Sequence, residues 1–476
     1  MKRKNFYFLM MILTVPMFFS CGQNTTDSNV KTVSGTPVIA YDTSLRSGVI
    51  TEKIICKNDQ NVSYVLYLPS TYKAGTEYPA IYIFDPHAAG FLPINKYKDL
   101  AEKYGYVLIG CNNSKNGMSW DAAHAAIKTM FDDSQSKLSI DKNRIYTAGF
   151  SGGSRVASSI AIYDGGIRGV IGCSAGFPQM NKDLKNKFDF IGIAGNEDFN
   201  MTEMKKLDKA LESSGLRHQL IIFNGKHEWC SKDIFNEAFQ WIQVNEMKDK
   251  MIPVNNDLVN EIKKSYEKQI NERVGIKRNY DALILYKKLI SFVDGLKDIS
   301  VYKRAMDSLA NLDDVKKIII HKEQMEKKEF ETQQQYGQEF ASKDIIWWTN
   351  ELNALNTKTK SIDGETSQMY RRILGYLSLV AYSNANNALN QNQMDAAASF
   401  IKLYAMIDPP NSEHSYMSAV LFAKQNQIPQ AFAALTDAVK LGFDDLDRLN
   451  NDPTLVKLKS NKSFDDIVNL IKTSKK

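Results

Sequence analysis

The sequence predicts a mixed α/β protein in two parts: a mostly parallel sheet with helices on both faces, built by residues 45–250, and an all-helical region over 251–476. Three observations carry this expectation. Between residues 50 and 245, short apolar strand-like runs alternate with helix-forming stretches, the order a mostly parallel sheet requires. Beyond about residue 250, strand-like runs and glycines become scarce, and helix formers with Asn and Gln dominate. The length of 476 residues also exceeds what one ordinary core holds.

Residues 1–20 read as a leader rather than as part of either layer. Lys2, Arg3 and Lys4 precede an apolar run from Phe6 to Phe19, short for a bilayer span, and Ser20-Cys21-Gly22 follows. The pattern resembles a bacterial lipoprotein signal, with Phe18 standing where leucine is usual. That resemblance implies cleavage before Cys21, lipid on its thiol, and a protein held on a membrane of the cell envelope. The absence of an acidic run after the cysteine points to the periplasmic side. An ordinary secretory signal is the alternative. Residues 21–44 then form a lipidated tether, in which Asn24 to Pro37, rich in Thr, Ser, Asn and Gly, reads as flexible.

Within the α/β part, Tyr78 to Phe84 reads as a strand that opens into Asp85-Pro86-His87-Ala88-Ala89-Gly90, and Tyr106 to Gly110 reads as the fourth strand. Ile145 to Ala148 is a short buried strand that runs into Gly149-Phe150-Ser151-Gly152-Gly153, and Arg155 to Ile162 continues as a helix rich in small residues. A lone G-x-S-x-G occurs often by chance. With a strand before it and a helix after it, the motif is a nucleophile elbow. There the serine occupies a strained turn that projects its hydroxyl clear of the backbone, and the flanking glycines keep helix and strand from colliding. Ser151 is therefore the candidate nucleophile.

A nucleophilic serine needs a base, and the six histidines are His87, His124, His218, His227, His321 and His414. In an elbow enzyme the acid and then the histidine follow the serine, on loops at the carboxyl ends of later strands. His87 and His124 come too early, His321 and His414 lie in the helical region, and His218 sits at the wrong end of the strand Gln219 to Phe223. His227, in Gly225-Lys-His-Glu-Trp229 directly after that strand, remains. The preceding strand, within Phe188 to Gly195, delivers Asn196-Glu197-Asp198 to the same sheet edge. Asp198 is the candidate acid, with Glu197 the alternative. Its carboxylate would fix the tautomer that lets His227 accept the serine proton. Asp189 lies at the opposite end of its strand.

An oxyanion requires two preorganised N–H donors, one from the residue after the nucleophile and one from the loop after the third strand. Gly152 supplies the first, and His87 and Ala88 are the candidates for the second. On these residues the stretch from about 45 to 250 resembles an α/β-hydrolase of the esterase type that includes feruloyl esterases and polyhydroxybutyrate depolymerases. Those proteins have an oxyanion loop, a G-x-S-x-G elbow, a G-x-x-D segment and a G-x-H-x-W segment in this order, matched here by Gly195-Asn-Glu-Asp198 and Gly225-Lys-His-Glu-Trp229. The resemblance implies serine-hydrolase chemistry on an ester bond, in a small-molecule or carbohydrate-linked substrate. Asp85-Pro86-His87 departs from the His-Gly pair of many relatives.

The final helix of this part spans Ser231 to Lys250, and Ile252-Pro253-Val254 marks the boundary. Further on, a shift of 34 residues aligns Ala385 with Ala419, Ala388 with Phe422, Ala397 with Ala431, Ile401 with Leu435 and Tyr404 with Ala438. Small residues at these spacings let paired helices pack closely, and the period resembles that of tetratricopeptide repeats, clearest over 377–445. The resemblance implies a surface for a protein or peptide partner. Leu258 to Ile362 is expected to add helical hairpins without the signature, with Trp347 and Trp348 as packing residues.

Composition narrows the function classes. A net charge of +6 is small for this length, and the basic stretch from Lys263 to Arg278 is interrupted by Glu267 and Glu272, so it reads as a solvated helix face and no nucleic-acid partner is expected. No C-x-x-C or histidine cluster suggests a metal, and no cofactor is expected. Without Cys21, four cysteines remain: Cys56, Cys111, Cys173 and Cys230. Cys111 and Cys173 end the fourth and sixth strands. With two strands between them in the usual order of such a sheet, they stand roughly 14 Å apart, beyond the about 7 Å a disulfide spans. All four read as small buried apolar residues. Two function classes follow: a serine esterase, or an envelope scaffold that binds through its helical repeats and has a reduced or inactive hydrolase part.

Overall fold

The computed structural model describes residues 45–178, 184–340 and 342–474. The expected leader, Cys21 and the tether lie outside the described residues. Eight strands form one sheet: β1 (Ile50–Cys56), β2 (Asp59–Tyr67), β3 (Tyr78–Phe84), β4 (Val107–Cys111), β5 (Ile140–Phe150), β6 (Gly169–Cys173), β7 (Asp189–Gly195) and β8 (His218–Phe223), in the order β1-β2-β4-β3-β5-β6-β7-β8. β2 is antiparallel to β1 and β4, and every other pairing is parallel. β3 and β5 lie between β4 and β6, as expected, which separates Cys111 from Cys173. Cys56, Cys111, Cys173 and Cys230 are all buried and free.

β3, β4, β6 and β7 read as nearly continuous apolar runs because both faces of the sheet are covered there. Along β3, Ile81 and Ile83 face one core while Ala80, Tyr82 and Phe84 face the other, and along β7 Ile191 and Ile193 oppose Phe190 and Ala194. On the first face lie α1 (Phe91–Tyr104) and α5 (Lys232–Lys248). On the second lie α2 (Trp120–Lys137), α3 (Gly152–Ser159) and α4 (Met201–Leu211). The helix expected through Ile162 stops at Ser159 and continues as one π turn, Ile160–Asp164, before Gly165 and Gly166 adopt positive φ.

The boundary expected at Ile252-Pro253-Val254 falls in the turn before α6 (Asn256–Gly275). Packing continues across it. Val259, Ile262 and Ile270 of α6, and Leu289, Phe292 and Val293 of α7 (Asn279–Val293), share one core with Trp241 and Ile242 of α5 and with the first sheet face. The chain goes on through α8 (Ser300–Ala310), α9 (Asp313–Glu339), α10 (Ile345–Lys358), α11 (Gly364–Asn390), α12 (Met394–Ile407), α13 (Ser412–Lys424) and α14 (Ile428–Lys440), followed by α15 (Leu446–Asn451) and α16 (Lys462–Ser474). A separate core holds Trp348, Ala385, Ala388, Ala397, Ile401, Tyr404, Ala419, Ala431, Leu435 and Ala438, with Trp347 and Phe422 packed on its edge. The small side chains bring α11 against α12 and α13 against α14 as two hairpins.

Candidate active site

Ser151 joins β5 to α3 with φ 52° and ψ −120°, backbone that a non-glycine residue adopts only under strain. The surrounding glycines make the turn sterically feasible. A Cβ on Gly149 would lie 2.1 Å from the Gly153 carbonyl oxygen, and one on Gly153 would lie 2.0 Å from that of Phe84. The helix therefore starts directly against the ends of two strands. Gly152, at the first turn of α3, has its N–H among those that a helix leaves unbonded at its N-terminus.

The loops after β7 and β8 bring Asp198 and His227 to the same edge. Asn196 N donates to Phe223 O at 2.8 Å, Glu197 N to Gly225 O at 2.9 Å, and Gly225 N to Asn196 Oδ1 at 3.2 Å, so the two loops are laced together. His227 Nε2 lies 3.0 Å from Ser151 Oγ, and His227 Nδ1 lies 2.9 Å from Asp198 Oδ1. A proton on Nδ1 is the tautomer that satisfies both contacts. Asp198 is fully buried, and its Oδ1 also accepts from Asn200 N at 2.8 Å. Its Oδ2 has no hydrogen-bond partner among the described residues. Glu197 points elsewhere and pairs with Arg371. The imidazole stacks on Phe199 at 4.1 Å between ring centroids and meets Phe150, tilted by 44°, at 4.8 Å.

The expected oxyanion loop is organised differently from its sequence reading. His87 N donates to Asp85 Oδ1 at 2.9 Å and Ala88 N to Asp85 O at 3.1 Å, so both amides named as second donors already have acceptors within the loop. Ala88 has φ 60°, and the His87 side chain is exposed. The loop instead turns on Asp85, a buried carboxylate whose Oδ2 accepts from Trp229 Nε1 at 2.9 Å. Burial alone would raise the Asp85 carboxyl, but the His87 and Trp229 hydrogen bonds outweigh it and hold it below the usual range. The same contact with Asp85 raises His87 above its ordinary value. Asp85 thereby ties the loop after β3 to the histidine loop. Asn116 was also missed by sequence reasoning; its Oδ1 would lie 1.8 Å from a Cβ at Gly152, so its amide lies against the elbow.

Among the described residues, no group of three or more His, Cys, Asp or Glu side chains could hold a metal ion, and no helix is long and apolar enough to cross a membrane. His124 and His218 pair with Asp164 and Asp208, away from Ser151. His321 on α9 and His414 on α13 belong to the helical region.

No family model and no curated protein matches the chain. Solved structures similar to it include an S-formylglutathione hydrolase from Staphylococcus aureus (13% identity, 42% of this chain and 98% of the other, TM-score 0.33). A ferulic acid esterase is similar at 16% identity over 41% of this chain and 96% of its own, with a TM-score of 0.34. An esterase from the archaeon Pyrobaculum calidifontis is similar at 15% identity over 43% of this chain and 84% of its own, also at 0.34. These are likenesses over less than half of the chain. The functional reading rests on the geometry around Ser151.

Proposed function

We propose that this protein is a serine hydrolase of carboxylic esters in which Ser151, His227 and Asp198 act as a triad. The observation that carries this is the unbroken chain from Ser151 Oγ to His227 Nε2 at 3.0 Å and from His227 Nδ1 to Asp198 Oδ1 at 2.9 Å, at an elbow with strained serine backbone. Ser151 Oγ attacks the ester carbonyl carbon while its proton passes to His227 Nε2. The oxyanion that forms takes the Gly152 N–H at the start of α3, where the helix dipole also favours negative charge. Collapse of this intermediate breaks the bond to the leaving alkoxide, which takes the proton from His227. Water, deprotonated by the same imidazole, then releases the acyl group and restores Ser151. Asp198 holds the ring and stabilises its protonated form throughout. The second oxyanion donor comes from the loop after β3 once His87 or Ala88 N–H turns from Asp85 to the oxyanion.

The proposal extends to the rest of the chain. Cys21 carries lipid, residues 21–44 tether the enzyme to an envelope membrane on its periplasmic side, and the hairpins α11–α12 and α13–α14 are tetratricopeptide-like repeats that receive a protein or peptide. The substrate is a small-molecule or carbohydrate-linked ester. A second reading, an envelope scaffold whose hydrolase part is inactive, is favoured by the His87 and Ala88 amides already being engaged by Asp85. Turnover of short p-nitrophenyl esters and feruloylated sugars by the full chain, compared with Ser151→Ala, separates the two. Hydrolysis that requires Ser151 supports the enzyme. Failure of every ester with the wild type supports the scaffold.

A further inference from the structure

The loop that carries Asp198 is gripped by the helical region. Arg372 and Glu329 sit on α11 and α9, and both are buried, at 6% and 0% exposure. Arg372 Nε lies 2.9 Å from Glu329 Oε1 and 3.1 Å from Oε2, and Nη2 lies 2.6 Å from Oε2. The remaining arm of the guanidinium, Nη1, donates to the Asn196 carbonyl at 2.6 Å. The adjacent Arg371 pairs with Glu197, and Gly375, one turn further along α11, comes so close to Phe199 that a Cβ there would lie 3.3 Å from its ring. Phe199 in turn stacks on His227. One face of α11 thus meets Asn196, Glu197 and Phe199, on both sides of Asp198.

Burying two ions carries a desolvation penalty, and an apolar pair of similar volume generally stabilises a fold as well or better. What this pair adds is direction. A planar guanidinium can fork onto one carboxylate while its third nitrogen fixes a carbonyl; a lysine ammonium cannot span both. Direction matters here because the Asp198 carboxylate is held through Oδ1 alone, with Oδ2 unpartnered among the described residues, so its position depends on the backbone that carries it.

We propose that Arg372, oriented by Glu329, is a positioning residue for the triad: it fixes the 196–200 loop so that Asp198 keeps His227 aimed at Ser151. The helical region is then part of the active site rather than an appendage to it. This rests on the triad reading above.

The test uses the full chain with Arg372→Lys, which keeps the charge beside Glu329, and the paired neutral variant Arg372→Gln/Glu329→Gln, which leaves no buried ion unpaired. Readouts are kcat and KM on p-nitrophenyl acetate, the rate of fluorophosphonate attachment, and the thermal midpoint. The expected result is a fall in kcat and in attachment rate of about tenfold to a hundredfold with KM nearly unchanged, as for a small misplacement of a catalytic group. In an Asp198→Ala background the same substitutions should cost nothing further, because the residue through which they act is gone. Wild-type kcat and attachment rate in both variants, or an equal further loss in the Asp198→Ala background, would overturn the proposal. A wild-type chain that takes no fluorophosphonate at all fails earlier, at the triad itself.

Discussion

At Ser151 the backbone holds a conformation that costs about 1–3 kcal/mol, and it persists because the end of β5, the start of α3 and the Phe84 carbonyl close around it with no room for a side chain at Gly149 or Gly153. That Ser151, Asp198 and His227 stand side by side was legible in their chain order and their positions after strands, both of which a sequence displays. Asp198 and Glu197 differ only in which way adjacent side chains point. The structure sets Asp198 beside His227 and Glu197 beside Arg371. Asp198→Asn should therefore lower kcat by about 10⁴ through the wrong imidazole tautomer, with little change in KM, whereas Glu197→Gln should lose far less. Steady-state kinetics on one ester decides this, and the reverse ranking would move the acid to Glu197. That the His87 and Ala88 amides are taken up within their own loop was not legible. Whether His87 and Ala88 have free amides depends on Asp85, whose own partner Trp229 lies 144 residues away.

Among the elements, β7 and β8 were placed closely because their apolar runs are short and bounded by turn residues, and each begins within a residue of expectation and ends on it, whereas β5 extends to Ile140 and Phe150 beyond the expected Ile145 to Ala148. Helix limits were harder, since what stops α3 at Ser159 is a π turn leading into two positive-φ glycines, not a residue with strong breaking character. The α11 face was also hidden, because adjacent arginines carry no sign in the sequence of the distant loop that they meet. Strand placement also governs the thiols. Burial, reinforced by Asp133, pushes the Cys56 thiol up to about 12, and burial pushes Cys111 up to about 11, so neither supplies thiolate at neutral pH. Iodoacetamide at pH 7.5 should leave both unmodified in the folded protein and alkylate them in denaturant, as peptide mass mapping reads directly. Modification of either under native conditions would contradict their burial at the ends of β1 and β4.

For the whole molecule, the composition shift near residue 250 locates a real change from sheet to helix, yet the first core runs through it. Removing α6 and α7 would uncover Trp241, Ile242 and their neighbours, each buried apolar side chain counting for about 1.5–3 kcal/mol against a total stability of about 5–15 kcal/mol. A chain ending at Lys250 should accordingly be insoluble or lack a cooperative unfolding transition, whereas one ending near Ile299 should retain this core. A stable, cooperatively melting 45–250 fragment would contradict the shared core. The proposed lipid anchor is tested in cells, where Cys21→Ser should abolish palmitate incorporation and retained label would refute it. The most direct test of the triad is intact-mass and peptide mapping after fluorophosphonate treatment of the full chain. A single adduct on Ser151, absent from Ser151→Ala and strongly slowed in Asp198→Asn, is the expected result; an adduct that persists in Ser151→Ala, or a wild-type chain that takes none, would contradict it.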